Sequence, residues 1–298
     1  MKSTMQTGTQ LHVPVMLEEV LSSLDISPNG IYLDGTIGTG GHSTLILERL
    51  SSKGCLIGID RDEEAIDICR RSLFNKKTPF YLFNDCYSNF EYIIQQLGIG
   101  QVSGIVLDLG LSSMQLDSCS RGFSYKFNSN LDMRFNLSQK FSAYDIINKS
   151  SHNNLANLIY NNSEERRSRS IAKSIVNMRP LKTVYDLVEA IRRSTPPNHR
   201  NKTIARVFQS IRIAVNDEIV RLEKILSSFY EKLAIGGRII IVSFHSIEDR
   251  KVKHCFKKLQ TEKKIKILTK KPITPTNGEL KVNSRSKSAK MRVAEKIA

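Results

Sequence analysis

Through residue 110 the chain repeats one pattern, a short apolar run followed by an amphipathic stretch of helical length. The runs are IYLD at 31–34, CLIGID at 55–60, PFYLFND at 79–85 and SGIVLDLG at 103–110. None alternates apolar with polar residues, which marks strands covered on both faces. The stretches between them, 14–24 opening on Pro14, 42–51 and EEAIDICRRSLF at 63–74, repeat apolar residues at helical spacing. Strands that alternate with helices predict a mostly parallel sheet with helices on both sides, a doubly wound α/β domain.

The alternation then stops. Residues 111–140 are rich in Ser, Asn and Gly and read as loop. From 141 to 200 the patterns are helical only, in SAYDIINK, NNLANLIY, EERRSRSIAKSIVNM and TVYDLVEAIRR, until the prolines of STPPNHRNK break them. One long helix is predicted over 203–233, and the strand-like GRIIIVSFH at 237–245 restores the apolar type. These shifts predict a discontinuous α/β domain of residues 1–117 and 207–298, interrupted by a helical insertion at 118–206. No internal repeat is visible.

Composition narrows the class. Of 298 residues, 40% are hydrophobic and 25% charged, as in an ordinary soluble protein. No apolar run approaches the roughly 18 residues of a membrane span. The polar start MKSTMQTGTQLHV lacks the apolar core of a signal peptide, so a cytoplasmic location is expected. Five scattered cysteines with no CxxC pair predict reduced thiols rather than a disulfide framework or a zinc site. The outlier is charge: 45 basic against 29 acidic residues give +16. Abundant Lys, Ile and Asn are also a mark of AT-rich coding, but from Lys251 onward there are fifteen Lys or Arg and three Glu. Such clustering points to a polyanionic partner, nucleic acid first, with a solvated basic tail as the alternative.

Open parallel sheets bind ligands at the carboxyl ends of their strands. Three predicted strands end in an acid, Asp34, Asp60 and Asp108, and the first leads into the glycine turn DGTIGTGGHS. A dinucleotide fingerprint requires G-x-G-x-x-G with an acid about 20 residues on. Asp60 fits that spacing, but Gly38, Gly40 and Gly41 leave Ser43 at the third glycine's place. Asp34 also precedes the turn, where it would repel a pyrophosphate and attract a cation. S-adenosylmethionine carries a sulfonium, an ammonium and no phosphate, and so suits the turn better than NAD(P). The glycines would admit the cofactor, Asp60 would take its ribose hydroxyls, and Asp108 would face the reacting methyl and the substrate. His42, from the residues alone, is either a contact or a first-turn helix residue facing solvent.

HVPVMLEEVL, YLDGTIGTGGHS, IDRD, DLGLSSMQLD, RGFSY, LDMR, FQSIRIAVNDE, SFHSIEDRKVK and RSKSAKMRVAEK occur in this order from His12 to Lys296. Together they closely resemble the bacterial 16S ribosomal RNA (cytosine-N4)-methyltransferase family, RsmH or MraW. The resemblance implies a class I S-adenosylmethionine-dependent fold with an inserted helical substrate-recognition domain. It also implies N4 methylation of one cytidine in the decoding region of 16S rRNA, within the small ribosomal subunit. Its cofactor contacts fall on Gly40, Gly41, His42, Asp60, Tyr87, Asp108 and Gln115. Tyr87 stands where the family usually has Phe, Phe135 where Met is usual, and Ser284 and Lys287 where Pro and Arg are common. The segment KMRVAEK is expected to close the sheet as a strand.

For the chemistry, Asp108 is the best-placed acceptor for an amine, as base or as orienter. The Pro-Pro-aromatic motif of nitrogen-methylating DNA enzymes is absent, since the sequence there reads DLGLSS. His245, in SFHSIEDR, is a candidate at the target base, while Ser246 either joins it or caps the next helix. The His–Glu spacing lacks an evident third ligand, so no metal is expected. Arg121, Phe123, Tyr125, Phe127 and Arg134 either line a pocket for an unstacked base or pack into the insertion. Arg166, Arg169 and Lys173 are placed on one helix face, for phosphates or for solvent.

Overall fold

The computed structural model describes residues 14–298; His12, Val13 and the polar amino-terminal stretch lie outside the described residues. The α/β part begins α1 (Leu17–Leu24), β1 (Ile31–Asp34), α2 (Gly41–Arg49), β2 (Cys55–Asp60), α3 (Glu63–Leu73), β3 (Phe80–Asn84), α4 (Phe90–Gln96), β4 (Val102–Asp108). The middle is helical: α5 (Ser113–Asp117), α6 (Ala143–Lys149), α7 (His152–Ser163), α8 (Ser168–Asn177), α9 (Val184–Arg193) and α10 (Arg200–Asn216). The chain returns through α11 (Glu218–Lys232), β5 (Leu233–Ser243), α12 (Ser246–Thr261), β6 (Ile265–Ile267), α13 (Asn277–Val282) and β7 (Lys290–Lys296).

Among the described residues seven strands form one sheet in the order β3-β2-β1-β4-β5-β7-β6. The first five are parallel, and β7 enters antiparallel between β5 and β6. This is the doubly wound sheet read from the sequence, and the class I methyltransferase fold that the resemblance implies. Neighbouring side chains of each strand point to opposite faces. Leu33, Ile57, Ile59, Ile105, Leu107, Ile239 and Ile241 pack under α4, α11 and α12, with Phe90, Phe229 and Phe256 fully buried among them. Tyr32, Leu56, Val106, Ile240 and Val242 face the other way, against Leu24, Ile46 and Ile66 of α1, α2 and α3. Each such side chain contributes about 1.5–3 kcal/mol on burial, so both faces hold the strand ends rigidly.

A third core, separate from these, runs from Phe123 to Val215 and draws on α6 to α10. The boundary of the helical unit at 118–206 stays our proposal; α10 serves its core along nearly its whole length. Four local readings are corrected. α1 starts at Leu17 rather than Pro14, because Met16 is left-handed (φ 54°) and breaks the helix behind it. The long helix over 203–233 is two, because Asp217 is left-handed (φ 52°) and turns the chain between α10 and α11. The loop read at 111–140 contains α5, started by a Ser112–Gln115 capping box. Arg166 precedes α8, which starts at Ser168, so only Arg169 and Lys173 share that helix. β7 closes the sheet as expected, and the five thiols are unpaired.

Candidate functional site

β1, β2 and β4 end side by side, and the glycine turn that follows β1 is stitched to the strands on both sides. Gly38 N–H donates to Asp60 Oδ2 at 2.9 Å, and Ile37 N–H to the Ile59 carbonyl at 3.0 Å. On the other side Asp108 N–H donates to Thr36 Oγ1 at 2.7 Å, and Gly35 N–H to the Val106 carbonyl at 2.9 Å. Gly38 (φ 53°) and Gly40 (φ 93°) occupy left-handed backbone that a side chain would strain. A Cβ on Gly41 would lie 2.2 Å from Pro14 Cγ, so that position holds the amino-terminal segment close as well.

The acids differ in their surroundings. Asp34 is buried, takes the Ser43 hydroxyl at 2.7 Å and the Thr36 amide at 3.2 Å, and burial still pushes its carboxyl up to about 6. Asp60 accepts the Gly38 and Asp62 amides, at 2.9 Å each, and is also pushed up to about 6 by burial. Asp108 is raised well above the usual carboxylate range, by burial first and then by the charges of Asp34, Glu248 and Glu279. Its Oδ1 is buried and has no hydrogen-bond partner. Leaving an acceptor so costs about 1–3 kcal/mol, which makes Asp108 a group awaiting a donor.

His42 does not face solvent. Its ring is buried, and Nε2 lies 3.1 Å from the Val15 carbonyl, to which it donates. Burial lowers the imidazole to about 4, so the neutral ring is the native form. What His42 offers toward the turn's open side is its main chain at the start of α2. Gln115 is buried and donates from Nε2 to Asp62 Oδ2 at 2.9 Å. Arg121 Nη1 reaches the same oxygen at 3.1 Å, and its Nη2 holds the carbonyls of Arg134 and Phe135. Phe123 stacks on Phe135, ring centroids 5.6 Å apart, in the insertion core, whereas Tyr125 and Phe127 are exposed. Arg134 is paired with Asp132 at 2.6 Å. A cavity of about 410 Å³ opens beside Asp62, Asn84, Arg121, Phe135 and Asn136. Tyr87, half-buried, follows β3 and directs its hydroxyl to the Glu218 carbonyl at 3.5 Å, a contact a Phe there would lack.

At the end of β5 the cap of α12 is His245, not Ser246: its Nδ1 accepts the Glu248 amide at 3.4 Å. Glu248 Oε2 takes the Phe244 amide at 3.0 Å. Burial pushes the Glu248 carboxyl up, but His245, Arg212 and that amide overcome it and hold the group below its usual value. Contrary to the sequence reading a third group is present, since Glu218 of α11 lies with His245 and Glu248 within 4.8 Å. Its oxygens are taken by Arg212, at 2.8 and 2.9 Å. An accepting Nδ1 leaves the neutral ring's proton on Nε2, 3.1 Å from Glu248 Oε1 but without hydrogen-bond geometry. A carboxylate with both oxygens already held by Arg212 is a poor metal ligand. The cluster is an ion-paired wall beside Asp108.

Sequence reasoning missed Arg212, Asn216, Glu218 and Arg61. The first three lie in FQSIRIAVNDE, where only their order was visible. Buried Asn216 donates to the Met133 carbonyl at 2.7 Å and accepts the Phe135 amide at 2.8 Å. Arg61, next to Asp60, donates to the Asn216 carbonyl at 2.8 Å and to Gln139 Oε1 at 3.1 Å. The end of β2 is thereby tied to the helical unit.

A family model described as the MraW methylase family matches residues 9–297. The ribosomal RNA small subunit methyltransferase H of Fusobacterium nucleatum is 42% identical, over 97% of this chain and 98% of its own length. Proteins of the same name from Clostridium botulinum strain Loch Maree and Mycoplasmopsis pulmonis are each 44% identical. They cover 96% and 97% of this chain, and 99% and 100% of their own.

Proposed function

We propose that this chain, which belongs to the MraW methylase family, methylates the exocyclic N4 of one cytidine in the decoding region of 16S rRNA, on the small ribosomal subunit in the cytoplasm. The observation that carries the reading is Asp108, an orphaned buried acceptor at the end of β4 between the glycine turn and the His245–Glu248 cluster. The turn fits S-adenosylmethionine: its glycines leave the main chain open, and acids rather than phosphate-binding cations line it. When bound, that cofactor supplies an electrophilic methyl group on a sulfonium. Asp34 would balance the ammonium, the main chain at Gly40, Gly41 and His42 would contact the methionine portion, and Asp60 would hold the ribose hydroxyls. Tyr87 would offer an aromatic face to the adenine, and Gln115, which holds Asp62, would complete the set.

The N4 lone pair of cytosine is delocalised into the ring. Asp108 Oδ1 accepts one N4–H, which turns the amine and frees its lone pair. As that nitrogen takes the methyl group, Asp108 would take up the surplus N4 proton and release it to water. Burial raises the Asp108 carboxyl, so the group holds that proton strongly once its ionised form has received it. His245 presents Nε2–H at the edge of the same space and positions the base.

Calorimetric titration separates this reading from an oxidoreductase: S-adenosylmethionine binds and NADH does not, and tight NADH binding alone would contradict it. Mass spectrometry of 16S rRNA from a deletion strain shows loss of N4-methylcytidine, whereas an unchanged level removes the substrate assignment.

A further inference from the structure

β7 runs antiparallel to β5, so its first residue, Lys290, pairs with Ser243 at the carboxyl end of β5. The residues just before β7 must therefore lie along the edge where Asp34, Asp60 and Asp108 end. α13 and a short 3₁₀ turn, Ser284–Ser288, fill that stretch. Two contacts fasten it. Glu279 Oε1 accepts the Met16 amide at 2.8 Å, beside the segment that His42 and Gly41 hold. Arg285 Nη2 donates to Asp117 Oδ1 at 2.5 Å, at the last residue of α5, the helix that follows Asp108. The segment thus spans from the glycine-turn side to the loop beyond β4, and Glu279 is among the charges that Asp108 feels.

The two fastenings differ in kind. The Glu279 end meets a main-chain amide of a fully buried residue, Met16. The Arg285 end is an open ion pair, with side chains 37% and 66% exposed, and such pairs contribute little to stability. The turn that carries Arg285 is nonetheless firm: buried Ser286 donates to the Asn283 carbonyl at 2.7 Å, and Ala289 N–H to the Ser286 carbonyl at 2.8 Å. Exposed Lys281 and Lys287 flank it. A phosphodiester offers a guanidinium the same two-oxygen geometry as a carboxylate, in a strand that carries further charge for the flanking lysines.

We propose that Arg285 is a phosphate clamp for the RNA strand that presents the target base, occupied by Asp117 in the free chain and released to a backbone phosphate on binding. A phosphate fixed there sets the register of the strand and brings one unstacked base toward Asp108. This inference rests on the rRNA-methylation reading.

The test uses the full chain and small subunits from a deletion strain, and measures subunit affinity over a salt series and the rate of methyl transfer. Arg285→Ala weakens subunit binding about tenfold and lowers the slope of log affinity against log salt by about one, with S-adenosylmethionine affinity unchanged. Arg285→Lys falls between. Asp117→Asn binds the subunit about threefold more tightly, because the competing carboxylate is gone. Melting temperatures of the three variants within a degree or two of wild type show that the fold is kept. A wild type that binds and methylates while Arg285→Ala matches it in affinity and slope overturns the clamp alone. Equal weakening by Arg285→Ala and Asp117→Asn overturns it too, since that marks a merely structural pair. A wild type that neither binds nor methylates the subunit overturns the rRNA reading and the clamp with it.

Discussion

Asp34 is a buried carboxyl whose ionised form, in the proposed function, a cation would favour. Its native value of about 6, against 3.8 for an unperturbed group, means that its buried surroundings favour the neutral form. Its contribution to stability is thus full below about pH 3.8 and is lost as pH rises through about 6, by roughly 3 kcal/mol. A bound cation reverses the preference. Affinity for S-adenosylmethionine is therefore expected to rise about tenfold or more between pH 5 and pH 7, with Asp60 contributing in the same sense. Asp34→Asn removes its share and flattens the profile; calorimetry at several pH values reads this, and an unchanged profile in the variant refutes the role. At Asp108, Asn keeps shape and loses basicity, so turnover is expected to fall by a factor of 10² to 10⁴ while cofactor affinity changes little. Near-normal turnover of Asp108→Asn would leave Asp108 an orienter, not a proton acceptor.

The elements were legible where a period governed them. Both faces of the sheet follow from apolar runs such as IVLD, and the acids that end them mark the site's edge without further knowledge. The hidden features are those set by single backbone residues. Asp217 divides α10 from α11 by taking φ 52°, a conformation Asp tolerates but does not announce. That turn delivers Glu218 to His245 and leaves the Asn216 carbonyl for both Arg61 and Arg221. The surroundings of His42 were hidden for a related reason: helical spacing cannot show that Val15, 27 residues earlier, supplies its partner. Asn216→Ala leaves the Met133 carbonyl and the Phe135 amide unpaired in the interior. Urea unfolding is expected to show a loss of about 2–4 kcal/mol, with weaker cofactor binding through Arg61; a loss below about 0.5 kcal/mol would mean that water replaces the amide.

For the whole molecule, the proposed division of labour is a sheet whose edge would hold the cofactor beside Asp108, with a helical unit tied to that edge by Arg61, Arg121 and Asn216. No helix among the described residues is long and apolar enough to cross a membrane. The excess of basic charge was visible in composition, but which cations meet RNA was not, because clustering in sequence does not say which faces stay open. Arg169 and Lys173 stay exposed on α8. Reversing both to Glu is expected to lower the salt slope of subunit binding by about two without touching cofactor affinity, and an unchanged slope would assign them to solvent. The central claim is tested most directly by incubating the purified chain with S-adenosylmethionine and small subunits from a deletion strain, then digesting the 16S rRNA to nucleosides for mass spectrometry. The account predicts one N4-methylcytidine per subunit with wild type and almost none with Asp108→Ala. Methyl transfer to another atom or to no RNA, or full product with Asp108→Ala, would contradict it.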